Sequence, residues 1–433
     1  MRIKKICVTG LFGMFDHEIP LNMDERVTII HGPNGIGKTI ILNMLYDLFT
    51  NNNINNKIWR IPFNTLEIYF EDDSIFKLTK KTSAQRVHDM TANQTYIQDW
   101  DNLASASNNI SSVLNKEEET ITIDDKINEV YQNYELSASF TNTSGDKDEF
   151  ILIEKSNINI NPLLKKYIDI VNLKIYFIVT QRLKKEFQNP FPQLKIPHTL
   201  NTLSIIYHSK DLIMRIGSEL AHSTKISQSL DSSFPIRLSN ADNQSNFTQN
   251  ELAEKLKELE NKRSNLINAG ILDNEKQENG NIKIDEKNLN VLSFYCRDTE
   301  AKLNVFDDIY NRISLFKKIV NSHLLHKELS ISKIEGVVLK SDEGLSIPID
   351  KLSSGEQHLI ILFYELLFKV EPDTLILIDE PEISLHVGWQ VKFLKDLLEV
   401  VDLVGFDVLI ATHSPQIIKD RWDLTVQLKD KSS

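Results

Sequence analysis

The glycine-rich run at residues 32–39 constrains this chain more than any other feature of its sequence. It follows an apolar, β-branched stretch at 27–30 and precedes a helical pattern from Ile40 to Phe49. A strand, a glycine loop and a helix in this order form a cradle for phosphate, because backbone N–H groups point inward and the helix N-terminus adds partial positive charge. We therefore expect phosphate binding by Gly32, Pro33, Asn34, Gly35, Ile36, Gly37, Lys38 and Thr39.

The two residues that close this run have separate roles in such a loop. Lys38 is placed to bridge the β- and γ-phosphates of a nucleotide, and Thr39 offers a hydroxyl to Mg²⁺. The sequence thus predicts ATP and Mg²⁺ as cofactors.

Composition places the chain among globular proteins and excludes some classes. Of 433 residues, 41% are hydrophobic and 25% are charged. No run approaches the about 18 apolar residues of a membrane span, and residues 1–6 lack the pattern of a signal peptide. Two cysteines, Cys7 and Cys296, form no framework, so we expect a cytoplasmic protein without membrane contact. The net charge of −12 argues against coating nucleic acid unaided, although a local basic groove is compatible with it.

Apolar strands followed by polar residues recur at the C-terminal end of the chain. Residues 374–378 lead into Asp379-Glu380, and residues 407–411 lead into Thr412-His413. A third apolar strand, residues 173–180, is followed by Gln181. Such strands are typical of a parallel sheet that carries a site at its carboxyl edge. Between them, the run Lys-Leu-Ser-Ser-Gly-Glu-Gln at 351–357 predicts the start of a helix that continues to about Lys369.

The middle of the chain carries less information. Residues 81–148 are polar and predict an insertion of short elements. Further on, a helical region has an apolar seam formed by Leu252, Leu256, Leu259 and Leu266. The seam covers only two to three heptads, so it predicts a short helical hairpin or bundle arm. Packing on its own domain and binding of a partner protein both remain open.

Taken together, the order of these motifs resembles the nucleotide-binding domain of the ABC-type ATPases. The resemblance is to the branch that includes the SMC, RecF and overcoming-lysogenization-defect proteins. The segments 379–382 and 384–386 resemble the lysogenization-defect proteins more than transporters. It implies an α/β fold with a P-loop and mixed β-sheets flanked by helices, and an inserted, mostly helical domain. The implied ATPase parts are 1–80, 173–183 and 346–433, with a polar insertion at 81–172 and a helical one at 184–345.

The resemblance also assigns roles to four polar residues. Gln181 matches the glutamine that contacts Mg²⁺ and the attacking water, and Asp379 matches the aspartate bound to the metal. Glu380 matches the general base that polarises the water. His413 matches the histidine that touches the γ-phosphate.

The helix start at 351–357 implies that two chains act together. Ser353 and Gly355 match the family's signature, which reaches the γ-phosphate of a nucleotide held by the other subunit. One chain has one phosphate loop and one signature, so the resemblance implies a homodimer, or a higher even-numbered homo-oligomer, that holds two ATP molecules.

Two positions depart from the family pattern. Ile40 replaces a second hydroxyl residue that touches the α-phosphate, and Ser354 replaces the first glycine of the signature, a change common in the SMC-like branch. Because of the isoleucine we expect slow hydrolysis.

The sequence contains no recognisable nuclease of its own. Three histidines, His198, His208 and His222, lack a His-Asn-His arrangement, and zinc-ligand spacing is absent. The sequence ends shortly after His413, where some members of the branch continue into a TOPRIM nuclease. We therefore expect the effector to be a separate chain.

The segments 3–22, 29–35 and 176–183 resemble the PtuA ATPases of bacterial Septu and retron-associated anti-phage systems. These work with an HNH nuclease, PtuB, so the resemblance implies an ATP-responsive protein that regulates a nuclease or presents DNA to it. Two alternatives stay open. One is an AriA-type phage sensor that holds a TOPRIM effector, and the other is a RecF-like repair clamp that binds DNA directly with salt-dependent affinity.

Overall fold

The computed structural model describes residues 1–50, 58, 61–82, 134–145, 147–151, 173–179, 200–240, 247–274, 284–285, 288–383 and 385–429. The chain divides into two compact units, each assembled from separate stretches of sequence. The first comprises Met1–Val179, Pro372–Glu380 and Phe406–Ser433, and the second comprises Thr180–Glu371 and Pro381–Gly405.

The described part of the first unit is mostly β-structure. In chain order its elements are β1 (Ile3–Leu11), β2 (Phe15–Pro20), β3 (Val27–His31), α1 (Lys38–Thr50), β4 (Thr65–Phe70), β5 (Ile75–Thr82), β6 (Tyr134–Thr141), β7 (Lys147–Ile151), β8 (Ile175–Val179), β12 (Leu375–Asp379), β13 (Asp407–Ala411), the one-turn helix α8 (Pro415–Ile418) and β14 (Thr425–Gln427).

A five-stranded sheet in this unit is parallel, with strand order β14–β3–β13–β12–β8. Its three central strands are almost continuously buried, as their unbroken apolar runs predict. In the register of the sheet, Asp379 lies beside Ala411, and Ala411 lies beside Ile30. The residues that follow β3, β12 and β13 therefore emerge at one edge of the sheet.

A second sheet in the same unit is antiparallel, with strand order β2–β1–β4–β5–β6–β7. Alternate residues of β1 and β4 are buried, which is the pattern of a strand with one face against a core. The strands β6 and β7 lie within the segment predicted as a polar insertion, and they extend this sheet. Helix α1 packs against β8, β12 and β13, and its buried face joins both sheets in one hydrophobic core.

The described part of the second unit is mostly helical. In chain order it contains α2 (Leu200–Ser239), α3 (Gln249–Asn268), α4 (Leu289–Asn304), α5 (Asp307–His323), β9 (Lys327–Ser332), β10 (Gly336–Ser341), β11 (Ser346–Ile347), α6 (Ser354–Phe368) and α7 (Val387–Val404). The three strands form a small antiparallel sheet with the order β11–β10–β9. Helix α5 packs against α6 and α7, and α4 packs against α2 and α3.

The leucine seam lies on α3. Leu252, Leu259 and Leu266 are buried at seven-residue intervals, whereas Leu256 is only half-buried. The helix begins with a capping box in which Thr248 and Glu251 satisfy each other's backbone N–H groups. Because α3 packs against α4 within the same unit, the seam contributes to the core of this unit.

Candidate active site

The loop between β3 and α1 has a backbone that requires glycine at two positions. Gly35 has φ of +83° and Gly37 has φ of +100°, where side chains other than glycine are strained. A Cβ atom on Gly37 would also lie 2.4 Å from Cδ2 of Leu11 in β1. The spacing of these glycines in the sequence therefore has a direct steric cause.

Lys38, the first residue of α1, is held inside the loop. Its side chain is largely buried, with 5% of the residue exposed. The ammonium donates hydrogen bonds to the carbonyl oxygens of Gly32 at 2.8 Å and Pro33 at 3.0 Å. A buried ammonium that the loop surrounds in this way is positioned to meet an anion that enters the loop.

Thr39 and Asp379 meet at the mouth of the loop. The hydroxyl of Thr39 donates to Oδ1 of Asp379, the last residue of β12, at 3.1 Å. Hydroxyl and carboxylate oxygens are ligands that Mg²⁺ accepts, and this ion usually takes its other ligands from phosphates and water. The pair fits a magnesium ion that arrives with a nucleotide. Among the described residues, no cluster of three or more His, Cys, Asp or Glu side chains is arranged to hold a metal alone.

Glu380 and His413 face each other beyond the ends of β12 and β13. Nε2 of His413 lies 3.5 Å from Oε1 of Glu380. Glu380 adopts a positive φ of +45°, and its backbone N–H donates to the carbonyl of Ala411 at 2.8 Å. This backbone bond fixes the sharp turn that directs the strand end toward His413. Strained backbone of this kind is concentrated at functional sites.

His413 also approaches Lys38 with its other ring nitrogen. Nδ1 of His413 lies 3.4 Å from the ammonium of Lys38. An ammonium can only donate, so Nδ1 accepts and the proton of a neutral ring resides on Nε2, on the side of Glu380. The residues Lys38, His413 and Glu380 thus form a row across the sheet edge.

Thr412 holds the position of His413 and was not singled out by the sequence patterns. It is fully buried, and its N–H donates to the carbonyl of Ile30 at 3.2 Å. Its hydroxyl accepts the N–H of Ser414 at 2.9 Å. A threonine directly after an apolar strand is a common boundary residue, so only the fold identifies this role.

His31 is a second titratable group beside the loop that the sequence patterns did not mark. Burial, together with the nearby charge of Lys38, lowers the pKa of its imidazole. The ring contacts Trp422 edge-to-face, with 5.6 Å between centroids. A neutral His31 adds no positive charge to the loop, which leaves Lys38 as the cation there.

The two signature residues lie in the second unit. Ser353 is the N-cap of α6: its hydroxyl accepts the N–H of Glu356 at 3.3 Å, and Oε2 of Glu356 accepts the N–H of Ser353 at 2.9 Å. Glu356 also pairs with Lys327 at 2.6 Å. Burial would raise the pKa of Glu356, but these hydrogen bonds outweigh it and lower the pKa. A Cβ atom on Gly355 would lie 3.4 Å from the ring of Trp389.

Of the site residues predicted from the sequence, the structure gathers five at the edge of the parallel sheet: Lys38, Thr39, Asp379, Glu380 and His413. Gln181 lies outside the described residues, so its predicted role is not addressed. The structure places Ser353 and Gly355 at the start of α6.

A glycine loop joins a strand of the parallel sheet to a helix, and an Asp-Glu pair ends a second strand, two positions away in the same sheet; this arrangement defines the fold of a P-loop ATPase of the ABC type. The chain belongs to the AAA ATPase domain family, whose model matches residues 1–418.

Individual proteins are similar to the chain in part or at low identity. Protein ea59 of Escherichia phage lambda is 38% identical over 72 residues, which is 16% of this chain and 13% of that protein. The SMC head domain from Thermotoga maritima aligns with a TM-score of 0.36 and 12% identity, covering 99% of this chain and 95% of that one. An Smc head domain from Pyrococcus furiosus, solved bound to the C-terminal domain of ScpA, aligns with a TM-score of 0.34 and 12% identity over 99% and 94% of the two chains.

Among the helices of the described residues, none is both long enough and apolar enough to cross a membrane.

Proposed function

We propose that this protein binds ATP with Mg²⁺ at the edge of the parallel sheet and hydrolyses it slowly. One observation carries the proposal, namely that Lys38, Thr39, Asp379, Glu380 and His413 meet there through contacts of 3.5 Å or less. These are a phosphate-binding cation, two magnesium ligands, a base and a polar group for the γ-phosphate, which are the groups that phosphoryl transfer to water requires.

In this mechanism each residue has one task. The loop amides and Lys38 hold the phosphates, and Glu380 accepts a proton from the water that attacks the γ-phosphorus. The bond from that phosphorus to the bridging oxygen breaks, and ADP leaves with the electron pair. His413 donates from Nε2 to an oxygen of the γ-phosphate. Magnesium, held by Thr39 and Asp379 with Gln181 as a further predicted ligand, would neutralise charge on the phosphates.

The absence of a second hydroxyl after Thr39 supports slow turnover. Ile40 packs against the hydrophobic core of the first unit and offers no donor to the α-phosphate. One fewer hydrogen bond to a charged group weakens binding by about 1.5–3 kcal/mol.

We further propose that two chains bind head to tail around two ATP molecules. In such a dimer Ser353 and Gly355 of one chain contact the γ-phosphate bound by its partner. The first turn of α6 suits this task, because a helix N-terminus attracts an anion.

The dimer is tested by measuring molar mass in solution with Glu380→Gln, which binds ATP without consuming it. With ATP and Mg²⁺ the mass should double, and with ADP it should not. Glu380→Gln/Gly355→Asp is the matched control, because an acidic residue in the first turn of α6 suits the helix but repels the γ-phosphate. This double variant should bind ATP and stay monomeric. ATP-bound monomers of Glu380→Gln itself would overturn the proposed dimer.

As the biological role, we propose that the ATP-dependent state controls a separate nuclease chain in anti-phage defence, with an HNH nuclease favoured. The support is the resemblance of segments 3–22, 29–35 and 176–183 to PtuA ATPases. If ATP converts the protein from monomer to dimer, the nuclease is regulated when it binds one of these two states more tightly than the other.

Purification of Glu380→Gln from cells that carry its neighbouring genes distinguishes the candidate roles. A co-purifying HNH chain would support the proposal, and a TOPRIM chain would favour the phage-sensor alternative. DNA that dissociates as salt rises, with no protein chain, would favour a repair clamp.

A further inference from the structure

A buried histidine that is not part of the group Lys38, His413 and Glu380 makes a hydrogen bond to the backbone of the phosphate loop. His17 lies in β2 and is 4% exposed. Its Nε2 is 2.9 Å from the carbonyl oxygen of Ile36, which is itself a buried residue of the loop. A carbonyl only accepts, so Nε2 carries the hydrogen and donates it.

This hydrogen bond fixes the orientation of one particular peptide group. The carbonyl of Ile36 and the N–H of Gly37 belong to the same planar trans peptide and point in opposite directions. With the carbonyl anchored on the side of His17, the N–H of Gly37 is directed away from His17. The next residue, Lys38, donates to the carbonyls of Gly32 and Pro33, so its ammonium lies against the same loop.

The β1–β2 hairpin that carries His17 is itself well fixed. The rings of His17 and Phe15 stack, with 5.8 Å between centroids and 12° between planes. Oδ1 of Asp16 accepts the N–H of Gly10 at 2.7 Å, and the N–H of Phe12 donates to Pro62 at 2.8 Å. The same hairpin supplies Leu11, which occupies the space beside Gly37. The peptide is therefore constrained from one side by a hydrogen bond and by close packing.

Burial also favours the neutral form of His17. It lowers the pKa of the imidazole, although the contact with Ile36 acts in the opposite direction. A neutral ring with hydrogen on Nε2 can donate to Ile36 without placing a charge in the core.

We propose that His17 is a positioning residue for nucleotide phosphate: through the carbonyl of Ile36 it directs the N–H of Gly37 toward the bound phosphate. This proposal rests on the proposed binding of ATP by residues 32–39. The ligand class is a phosphate chain, because the contact proposed for Gly37 involves phosphate oxygens and not the nucleoside.

A matched pair of variants separates this role from simple filling of space. In His17→Gln the amide nitrogen can occupy the place of Nε2 and donate to Ile36. In His17→Met the side chain has nearly the same length and no donor. Calorimetric titration with Mg·ATP should give an affinity about tenfold weaker for His17→Met, the loss of about one charge-assisted hydrogen bond. His17→Gln should stay within about threefold of wild type.

A second readout follows the Gly37 amide itself. In glycine-labelled protein, its NMR signal should shift downfield on ATP binding in wild type and in His17→Gln, and much less in His17→Met. Equal ATP affinity and equal Gly37 shifts in wild type, His17→Gln and His17→Met would overturn the proposal. An equal loss of ATP affinity in His17→Gln and His17→Met would also overturn it.

Two further variants keep the result interpretable. If His17→Met does not fold, His17→Asn replaces it, because its shorter amide does not reach Ile36, and the same loss of affinity and shift is expected. Lys38→Ala should abolish ATP binding. If Lys38→Ala still binds ATP, the assignment of the phosphate loop fails. If Lys38→Ala loses ATP binding but the His17 variants bind ATP as wild type does, the positioning role of His17 fails and the assignment of the phosphate loop stands.

Discussion

His413 has a cation beside one ring nitrogen and an anion beside the other. With Lys38 at 3.4 Å from Nδ1 and Glu380 at 3.5 Å from Nε2, a neutral ring can accept from the first and donate toward the second. In the proposed mechanism, the same Nε2–H turns to the γ-phosphate and leaves the Glu380 carboxylate to act on water. The observed contacts are compatible with these proposed roles of His413 and Glu380.

The charge of Asp211 in α2 stabilises the fold, and its surroundings predict how this stabilisation depends on pH. It accepts hydrogen bonds from Arg215 at 2.8 Å, Lys369 at 2.8 Å and Tyr364 at 2.5 Å. Burial would raise the pKa of Asp211, but the three donors outweigh it and lower the pKa to about 2 from 3.8. The stabilising charge is therefore complete above pH 3.8 and is lost as the pH falls toward 2.

We expect Asp211→Asn to lower the free energy of unfolding by about 1–3 kcal/mol at pH 6, because the buried Tyr364 and the partly exposed Arg215 and Lys369 lose their charged acceptor. Urea unfolding at pH 6 and pH 3 measures this, and the difference from wild type should be smaller at pH 3. Glu219→Gln serves as control, because Glu219 lies on the same helix and its carboxylate faces the exposed His222 at 3.9 Å. An equal difference at both pH values would contradict the assigned charge state.

Some residues of the site can be predicted from the sequence and others cannot, and the difference lies in the elements that carry them. Lys38, Asp379 and His413 follow directly from apolar strands or the glycine loop, so their position at one sheet edge was expected and the structure places them there. Thr412, His31 and His17 reach the same place through burial and register in β-structure. Thr412 and His31 stand next to predicted site residues, and His17 lies in a strand, but no sequence pattern gives any of the three a role, so only the folded chain identifies their contacts.

At the scale of elements, the leucine seam of α3 decides between two hypotheses about the helical region. Leu252, Leu259 and Leu266 are buried, and α3 packs on α4 of the same unit. This favours an ordinary amphipathic helix within its domain. A partner-binding arm would expose the seam.

The Leu259→Ala variant tests this packing. We expect it to destabilise the helical unit by about 2–5 kcal/mol, since it removes a fully packed side chain. Hydrogen exchange of the α3 amides should become faster, whereas Lys257→Ala, an exposed position on the same helix, should leave exchange unchanged. Undiminished protection in Leu259→Ala would contradict the core role and return the seam to the partner-binding hypothesis.

Element prediction succeeded where the periodic signal was strong. The strands expected at 27–31 and 407–411 and the helix expected from 39 to 49 correspond to β3, β13 and α1. The sequence of residues 291–325 has a helical pattern throughout, which alone would predict one helix. The structure divides it into α4 and α5, because the chain turns at residues 305–306, where Phe306 is buried. Strands β6 and β7 lie in polar sequence, and cross-strand pairing, of β6 with β5 and of β7 with β6, defines them more than their own pattern does.

At the scale of the whole molecule, the AAA ATPase family model extends over residues 1–418 and so includes both compact units. The predicted domain boundaries, with ATPase parts at 1–80, 173–183 and 346–433, stay a prediction. The homodimer and the nuclease partner also stay predictions. The homodimer rests on one phosphate loop and one signature in each chain, and the nuclease partner rests on the resemblance of segments 3–22, 29–35 and 176–183.

The most direct test of the account is the rate of ATP hydrolysis by Glu380→Gln compared with wild type, with ATP binding measured on the same samples. The amide cannot accept a proton from water, so we expect ATP affinity within a few-fold of wild type and hydrolysis slower by about 10²-fold or more. Wild-type turnover by Glu380→Gln, with ATP bound, would contradict the assignment of Glu380 as the base and with it the mechanism proposed for this sheet edge.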